Sequence, residues 1–400
     1  MRSTMDKNRP SAAWLDSLRQ RFPCEPGVDD FLTRKLMARA GAPYSPVSLS
    51  TLVAAVESLL GAQLSTAFAV RAPRWLTGGA SKLQMAFELD WQPEAGAQVT
   101  SPMVLRMQPA ESIVESSRLR EFQLIRALTG RVPLPPVYWV DADATHLPYP
   151  ALIYGLVPGV TKPTRSQGGE VSGMGTHYGP ALRGLLAPQF VRHLASIHTH
   201  DWQGQDLSAF EVPPTGHHAV LRQLNWWSRV WEEDAPGELP ILTLAAQWLR
   251  ANMPPVDRVS LLHGDYRCGN FLFDEAQGEI TAWLDWELGH FGDRHEDLAW
   301  CTTRVWGHAE AGTGRELVCG LLYEEDFLAR YEAASGLAVN PATLHYYKVL
   351  NTWKTAVMSL STSYRIAHNS KTHQDVLVAW CLGVGAKFTE QLAETLAEVI

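Results

Sequence analysis

The segment His263-Gly264-Asp265-Tyr266-Arg267-Cys268-Gly269-Asn270, followed by Leu284-Asp285-Trp286-Glu287, constrains this chain more than any other stretch. A carboxylate at 265 is followed by an amide five residues on and a second carboxylate twenty residues on. Short apolar runs alternate with these polar positions. Val259-Ser260-Leu261-Leu262 reads as a strand feeding a polar loop, Phe271-Leu272-Phe273 as a second strand, and Ile280-Thr281-Ala282-Trp283-Leu284 as a third that delivers Asp285. Folded as one small sheet, these runs bring the three functional groups to one edge. Such a set suits phosphoryl transfer from a nucleotide. Asp265 would accept or orient the proton of an attacking hydroxyl, and Asn270 and Asp285 would hold magnesium through oxygen.

The rest of the chain sets the frame. Its 400 residues can bury a large core and form more than one lobe. A hydrophobic content of 46% with 19% charged residues describes an ordinary globular protein. The net charge of -8 gives no reason to expect nucleic-acid binding. The five cysteines are scattered without a CxxC pair, which argues against a zinc ribbon or disulfide framework and for reduced thiols in a cytosol. The expected location is therefore cytoplasmic. No apolar run approaches the ~20 residues a membrane span needs, and residues 1–10 lack the apolar core of a signal peptide. Oligomeric state has no signature.

Three regions are expected. Residues 1–44 form a helical extension, with Trp14, Leu15, Leu18 and Phe22 at helical spacing, packed on the first lobe. Residues 45–156 form a small lobe. It opens with a helix over 50–60, followed by strands over 70–77 and 83–91 joined by Gly78-Gly79-Ala80-Ser81-Lys82, a hairpin signal. A strand at 104–107, a helix over 116–128 and strands at 137–140 and 151–154 complete it. Residues 157–400 form a larger helical lobe, beginning with a long loop over 160–188 and then helices from 190 onward. The tryptophans read as packing anchors.

The order Asp265, Asn270, Asp285 resembles the catalytic loop and metal-binding Asp of protein kinases. His-Gly-Asp in place of His-Arg-Asp resembles the aminoglycoside phosphotransferase and choline kinase branch. Gly78-Gly79-Ala80-Ser81 resembles that family's Gly-Gly-x-Ser turn, where backbone amides approach phosphates. Val104-Leu105-Arg106, Arg120-Glu121 and Gly292-Asp293-Arg294-His295-Glu296-Asp297-Leu298-Ala299 resemble the branch also found fused to acyl-CoA dehydrogenases. Arg294 stands where that branch usually has Pro. Val157-Pro158-Gly159 resembles the hinge between kinase lobes.

The resemblance implies an α+β, two-lobed protein kinase-like fold, with a small antiparallel-sheet N-lobe and a larger, mainly helical C-lobe. It implies an ATP- and magnesium-dependent phosphotransferase acting on a small-molecule hydroxyl, with GTP left open as donor. Gly78, Gly79, Ser81, Arg106 and Glu121 would serve the nucleotide, and Glu121 should pair with Arg106. His263 and His198 would be structural, and Asp293 and Asp297 would brace the loop. Glu287 would either support the metal or cap a helix. A catalytically weak nucleotide-binding scaffold is the alternative. The absence of an Ala-Pro-Glu segment after Asp285 argues against a protein kinase. The acceptor stays open. Glu324, Glu325 and Asp326 would suit an amine-bearing sugar, whereas Tyr346, Tyr347, Lys348, Lys354 and Arg365 would suit an anion such as a hydroxyacyl-CoA.

Overall fold

Alternating apolar residues build the first sheet. Met85, Phe87 and Leu89 recur at every second position, as do Met103, Leu105 and Met107, so each set points to one face. The computed structural model describes residues 6–42, 44–76, 82–93, 96–164, 174–369 and 375–400, with side chains left aside at 375–377. Three helices come first: α1 (Ala12–Arg21), α2 (Pro26–Ala38) and α3 (Leu49–Gln63). The strands β1 (Ala69–Trp75), β2 (Leu83–Trp91) and β3 (Val99–Met107) lead to α4 (Arg118–Ala127), β4 (Val137–Asp141) and β5 (Ala151–Gly155). These five strands form one antiparallel sheet in the order β1-β2-β3-β5-β4. Its alternating face packs on Leu52, Val56, Leu59 and Leu60 of α3. The Gly78, Gly79 and Ser81 turn lies outside the described residues.

The second lobe is helical around small two-stranded sheets. Its elements are α5 (Gly179–His198), α6 (His218–Asp234), α7 (Pro240–Ala251), β6 (Ser260–Leu262), β7 (Phe271–Asp274), β8 (Glu279–Trp283), β9 (His290–Gly292) and α8 (His295–Cys301). Then come α9 (Glu324–Ser335), α10 (Pro341–Val357), a π-helical turn (Met358–Thr362), α11 (Ser363–Asn369) and α12 (Asp375–Ala397). The expected single sheet is corrected: β6 pairs with β9, and β7 pairs separately with β8. The expected loop over 160–188 is shorter, because α5 begins at Gly179 and carries Pro188 inside it.

The lobes meet at several places, two of which are the hinge segment after β5 and helix α4. Val160 exchanges both backbone hydrogen bonds with Phe273 at 3.0 Å. Gly159, at φ +145, lets the chain pass within contact of Thr281 and Leu272, where a Cβ would crowd both. Helix α4 is a junction too, since Leu124 and Ile125 share the large core with Trp286 and Leu288.

The N-terminal helices sit elsewhere than expected. They pack on α6 of the second lobe, with Phe31 edge-on to Trp226 at 5.5 Å. Lys35 Nζ lies 2.8 Å from Asp234 Oδ2, and Arg39 pairs with the same carboxylate. Toward the first lobe, Glu25 accepts from Arg120 Nη1 at 2.7 Å, and Leu32 and Lys35 of α2 border a small cavity with Ile113, Val114 and Glu115.

Candidate active site

The loop after β6 is shaped by its glycine and held by its neighbours. Gly264 has φ +78, and a Cβ there would run into the Leu288 carbonyl. Asp297 on α8 accepts from the amides of His263 (2.8 Å) and Gly264 (2.9 Å), and from His198 Nε2 (3.2 Å). The bracing expected of Asp297 is thus a triple hydrogen bond to the loop and to α5. Asp293 instead accepts from the His295 amide at 3.0 Å, at the start of α8. His263 receives the Asp265 amide on Nδ1 at 3.2 Å and reaches the Leu284 carbonyl through Nε2 at 3.0 Å. That pattern requires a neutral ring protonated on Nε2, and burial lowers its pKa accordingly.

Asp265 is set by three donors. Its Oδ1 accepts from Arg267 Nε and Trp300 Nε1, both at 2.8 Å. Its Oδ2 accepts from Asn270 Nδ2 at 2.6 Å. Burial nevertheless raises the Asp265 pKa, opposed first by Arg267 and then by His263. Because the Asn270 nitrogen is committed to Asp265, its amide oxygen is the end left for a cation. The Leu284 amide donates to the Asn270 carbonyl at 2.8 Å, which seats Asp285 beside that loop. Asp285 adopts φ 60, ψ 51, a left-handed conformation uncommon for a residue with a side chain. Its carboxylate is 36% exposed, so it faces open space rather than core.

Arg106, on β3, lies between three carboxylates. Its Nε is 3.2 Å from Glu121 Oε1, and its Nη2 is 2.6 Å from Asp285 Oδ1 and 3.7 Å from Glu287 Oε2. Arg118 pairs with Glu121 and lies 3.3 Å from Glu287. Lys82 Nζ is 2.6 Å from Glu287 Oε2 and donates to Ser112 Oγ (2.7 Å) and the Val114 carbonyl (2.9 Å). Of the two roles considered for Glu287, the helix cap is not what the geometry shows. Its carboxylate instead meets three cations, which hold its pKa down at about 2. Burial lowers the Lys82 pKa to about 8 against the pull of Glu287.

A cavity of about 780 Å³ opens between the lobes beside these groups. Its wall includes Arg106 and Glu121 from the first lobe and Asp265, Asn270, Asp285 and Glu287 from the second. Lys82, Arg118 and Arg267 were not singled out from sequence. Lys82 had a signal: it is the only lysine between residues 45 and 156.

Both charged sets considered for the acceptor lie elsewhere. Glu324 and Glu325 line a separate cavity of about 440 Å³, where Lys348 lies 2.5 Å from Glu324. Tyr346 and Tyr347 are buried, Lys354 is locked on Glu296 at 2.9 Å, and Arg365 reaches toward Asn8 and the Asp234 carbonyl. No group of three or more His, Cys, Asp or Glu able to hold a metal occurs among the described residues. A magnesium ion bound mainly by phosphates and water needs only one or two protein oxygens.

The chain matches the phosphotransferase enzyme family over residues 90–345. It belongs to that family. The mouse protein acyl-CoA dehydrogenase family member 10 is 28% identical over 201 residues, which is 50% of this chain and 18% of that protein. The chain spans 18% to 36% of the lengths of the first curated relatives it matches. A crystal structure from Ralstonia eutropha, described as a putative aminoglycoside phosphotransferase, is 20% identical with a TM-score of 0.62, covering 86% of this chain and 98% of that one. Another structure of the fold, a complex with GDP and kanamycin, is 17% identical with a TM-score of 0.51, covering 86% of this chain and 99% of the other. The two-lobed kinase-like fold expected from the catalytic segment is the fold of this phosphotransferase. Among the described residues no helix is long and apolar enough to cross a membrane.

Proposed function

We propose that this phosphotransferase moves the γ-phosphoryl group of ATP, with magnesium, to a hydroxyl of a small molecule. The observation that carries the reading is the convergence of Asp265, Asn270, Asp285 and Arg106 on one interlobe cavity. The Asp265 carboxylate takes the proton of the acceptor hydroxyl as its oxygen bonds to the γ-phosphorus. The bond from that phosphorus to the bridging oxygen breaks, and ADP leaves with the electron pair. Asn270 Oδ1 and a carboxylate oxygen of Asp285 are the hard donors suited to magnesium, which neutralises phosphate charge when bound. Arg106 is held by Glu121 in a fixed orientation, as a fork directed at phosphate oxygens requires. The Gly78, Gly79 and Ser81 turn would cover the phosphates.

Asp265→Asn tests the catalytic assignment. Turnover should fall roughly a hundred- to ten-thousand-fold, while calorimetric affinity for a non-hydrolysable ATP analogue stays near that of the parent. Unchanged turnover on an identified acceptor would remove Asp265 from the chemistry. Asp285→Ala should abolish the magnesium dependence of nucleotide binding in a thermal-shift titration. Equal dependence in parent and variant would argue against a metal role.

A further inference from the structure

We infer that the acceptor is an alcohol carried on an apolar aliphatic or aromatic body, neutral or anionic, and not a polycationic aminosugar. This rests on the phosphotransfer reading only in taking the end of the cavity beyond Asp265 as the acceptor end. Away from Arg106, that end is walled by Trp300, Trp306, Met358, Trp380, Val384 and Phe388. The rings form a continuous surface, with Trp300 and Trp306 at 5.5 Å and Trp306 and Phe388 at 6.1 Å between centroids. Among the described residues, the uncharged polar side chains there include Thr355, Ser359 and Cys381. Thr355 already donates to the Asn351 carbonyl at 2.6 Å.

Charge decides the class. Among the described residues, Asp265 is the one carboxylate facing this end; the other acidic wall residues, Glu121, Asp285 and Glu287, are gathered around Arg106. The nearby Glu296 is buried and engaged by Lys354 and His290. The cations present are Arg267, which lies over the Trp306 ring at 4.4 Å while holding Asp265, and Lys354, which lies over the Trp300 ring at 4.7 Å while paired with Glu296. Among the described residues, several ammonium groups seated here would find Asp265 alone as a carboxylate to pair with, already held by Arg267 and beside cations of like charge, and burial penalises the charge left over. An apolar body loses nothing by entering, and its hydroxyl is the one group that needs a polar partner, which Asp265 supplies.

The wall is also built rather than incidental. Met358 and Ser359 lie on the π-turn, a local widening of the helix that recurs at functional sites. Gly385 of α12 sits against that turn so closely that a Cβ would come within 2.8 Å of Leu360 Cγ. The two elements are therefore fixed relative to each other, and Trp380, Val384 and Phe388 project from the fixed helix.

Calorimetry on the full chain, loaded with magnesium and a non-hydrolysable ATP analogue, tests the class. The probes are straight-chain ω-hydroxycarboxylates of about four to about twelve carbons, and kanamycin. Affinity should rise about four-fold for each methylene that enters the cavity, with kanamycin weaker than the longer probes. Trp380→Asp, at a half-exposed position, should weaken the longer probes at least about ten-fold. Trp380→Phe should restore them, and the ATP analogue should bind both variants equally. Flat affinity with chain length, absence of probe binding, tighter kanamycin binding, or indifference to Trp380→Asp would each overturn the proposal. Phosphate transfer is read separately with ATP. Probes that bind with the expected length dependence but stay unphosphorylated would uphold the acceptor class and count against the phosphotransfer reading.

Discussion

At the scale of single residues, the site is organised by what each carboxylate is allowed to do. Glu287 is saturated by cations and stays ionised far below neutrality. Asp265 is pushed the other way by burial, and Arg267 is the first group holding it back. A base must be ionised to accept a proton, so the acid limb of kcat/KM should fall above the ordinary carboxylate range. Arg267→Gln keeps a donor near Asp265 but removes the charge that favours its anion. The acid limb should then move upward by roughly one pH unit, measured as a kcat/KM profile on any accepted alcohol. A limb that stays put or moves down would show that Arg267 does not tune this carboxylate. Asp265, Asn270 and Asp285 were legible because their spacing is a sequence property. Arg267 and Arg118 were not: each lies two or three residues from the acid it meets, Asp265 or Glu121, but nothing in that spacing says that the pair is buried at a site.

At the scale of elements, β3 and α4 matter because Arg106 and Glu121 face each other only when strand and helix dock. Both elements were legible: the strand from alternation and the helix from its apolar spacing, with Ser117 accepting from the Arg120 amide at the cap. The partners of the short strands were not legible, since an apolar run states that it is buried but not against which other run. The first half of α5 was hidden by Gly179, Pro180 and Pro188, which read as breakers even though a proline at a helix start is tolerated. Arg106→Ala and Glu121→Ala should each raise the ATP concentration needed for half-maximal rate. The double variant should be little worse than Arg106→Ala, because Glu121 acts through Arg106. A coupling near zero across that cycle would break the assignment. Arg106→Lys separates charge from shape. Arg106 spans Glu121 and Asp285 with different nitrogens, a reach one ammonium cannot reproduce, so the lysine variant should lose activity although its charge is kept.

At the scale of the whole molecule, the N-terminal helices and the acceptor wall meet at one carboxylate. Asp234, at the end of α6, binds Lys35 and Arg39 of the N-terminal region and accepts from Thr362 Oγ1 at 2.9 Å, at the end of the π-turn. Glu233 adds a second buried carboxylate 3.5 Å from Lys35. The cations hold the Asp234 pKa well below the usual carboxylate range. The sign follows directly: the folded value lies below the unfolded one, so its stabilisation is complete above the unfolded pKa and is lost as pH falls through the folded value. Asp234→Asn keeps the shape and removes the charge, leaving two buried cations to share Glu233. Unfolding in urea should show a loss of about 3–5 kcal/mol at neutral pH. As pH falls from the unfolded carboxylate range through the lower folded value, the parent and variant curves should converge, since the parent then loses the same charge. The variant should also bind the long hydroxycarboxylates more weakly than the parent, with the ATP analogue affected less, because Thr362 ties this carboxylate to the turn that carries Met358 and Ser359. A loss below about 1 kcal/mol, or equal weakening of both ligands, would mean that the N-terminal helices are seated by their apolar face alone and that the π-turn is positioned without them.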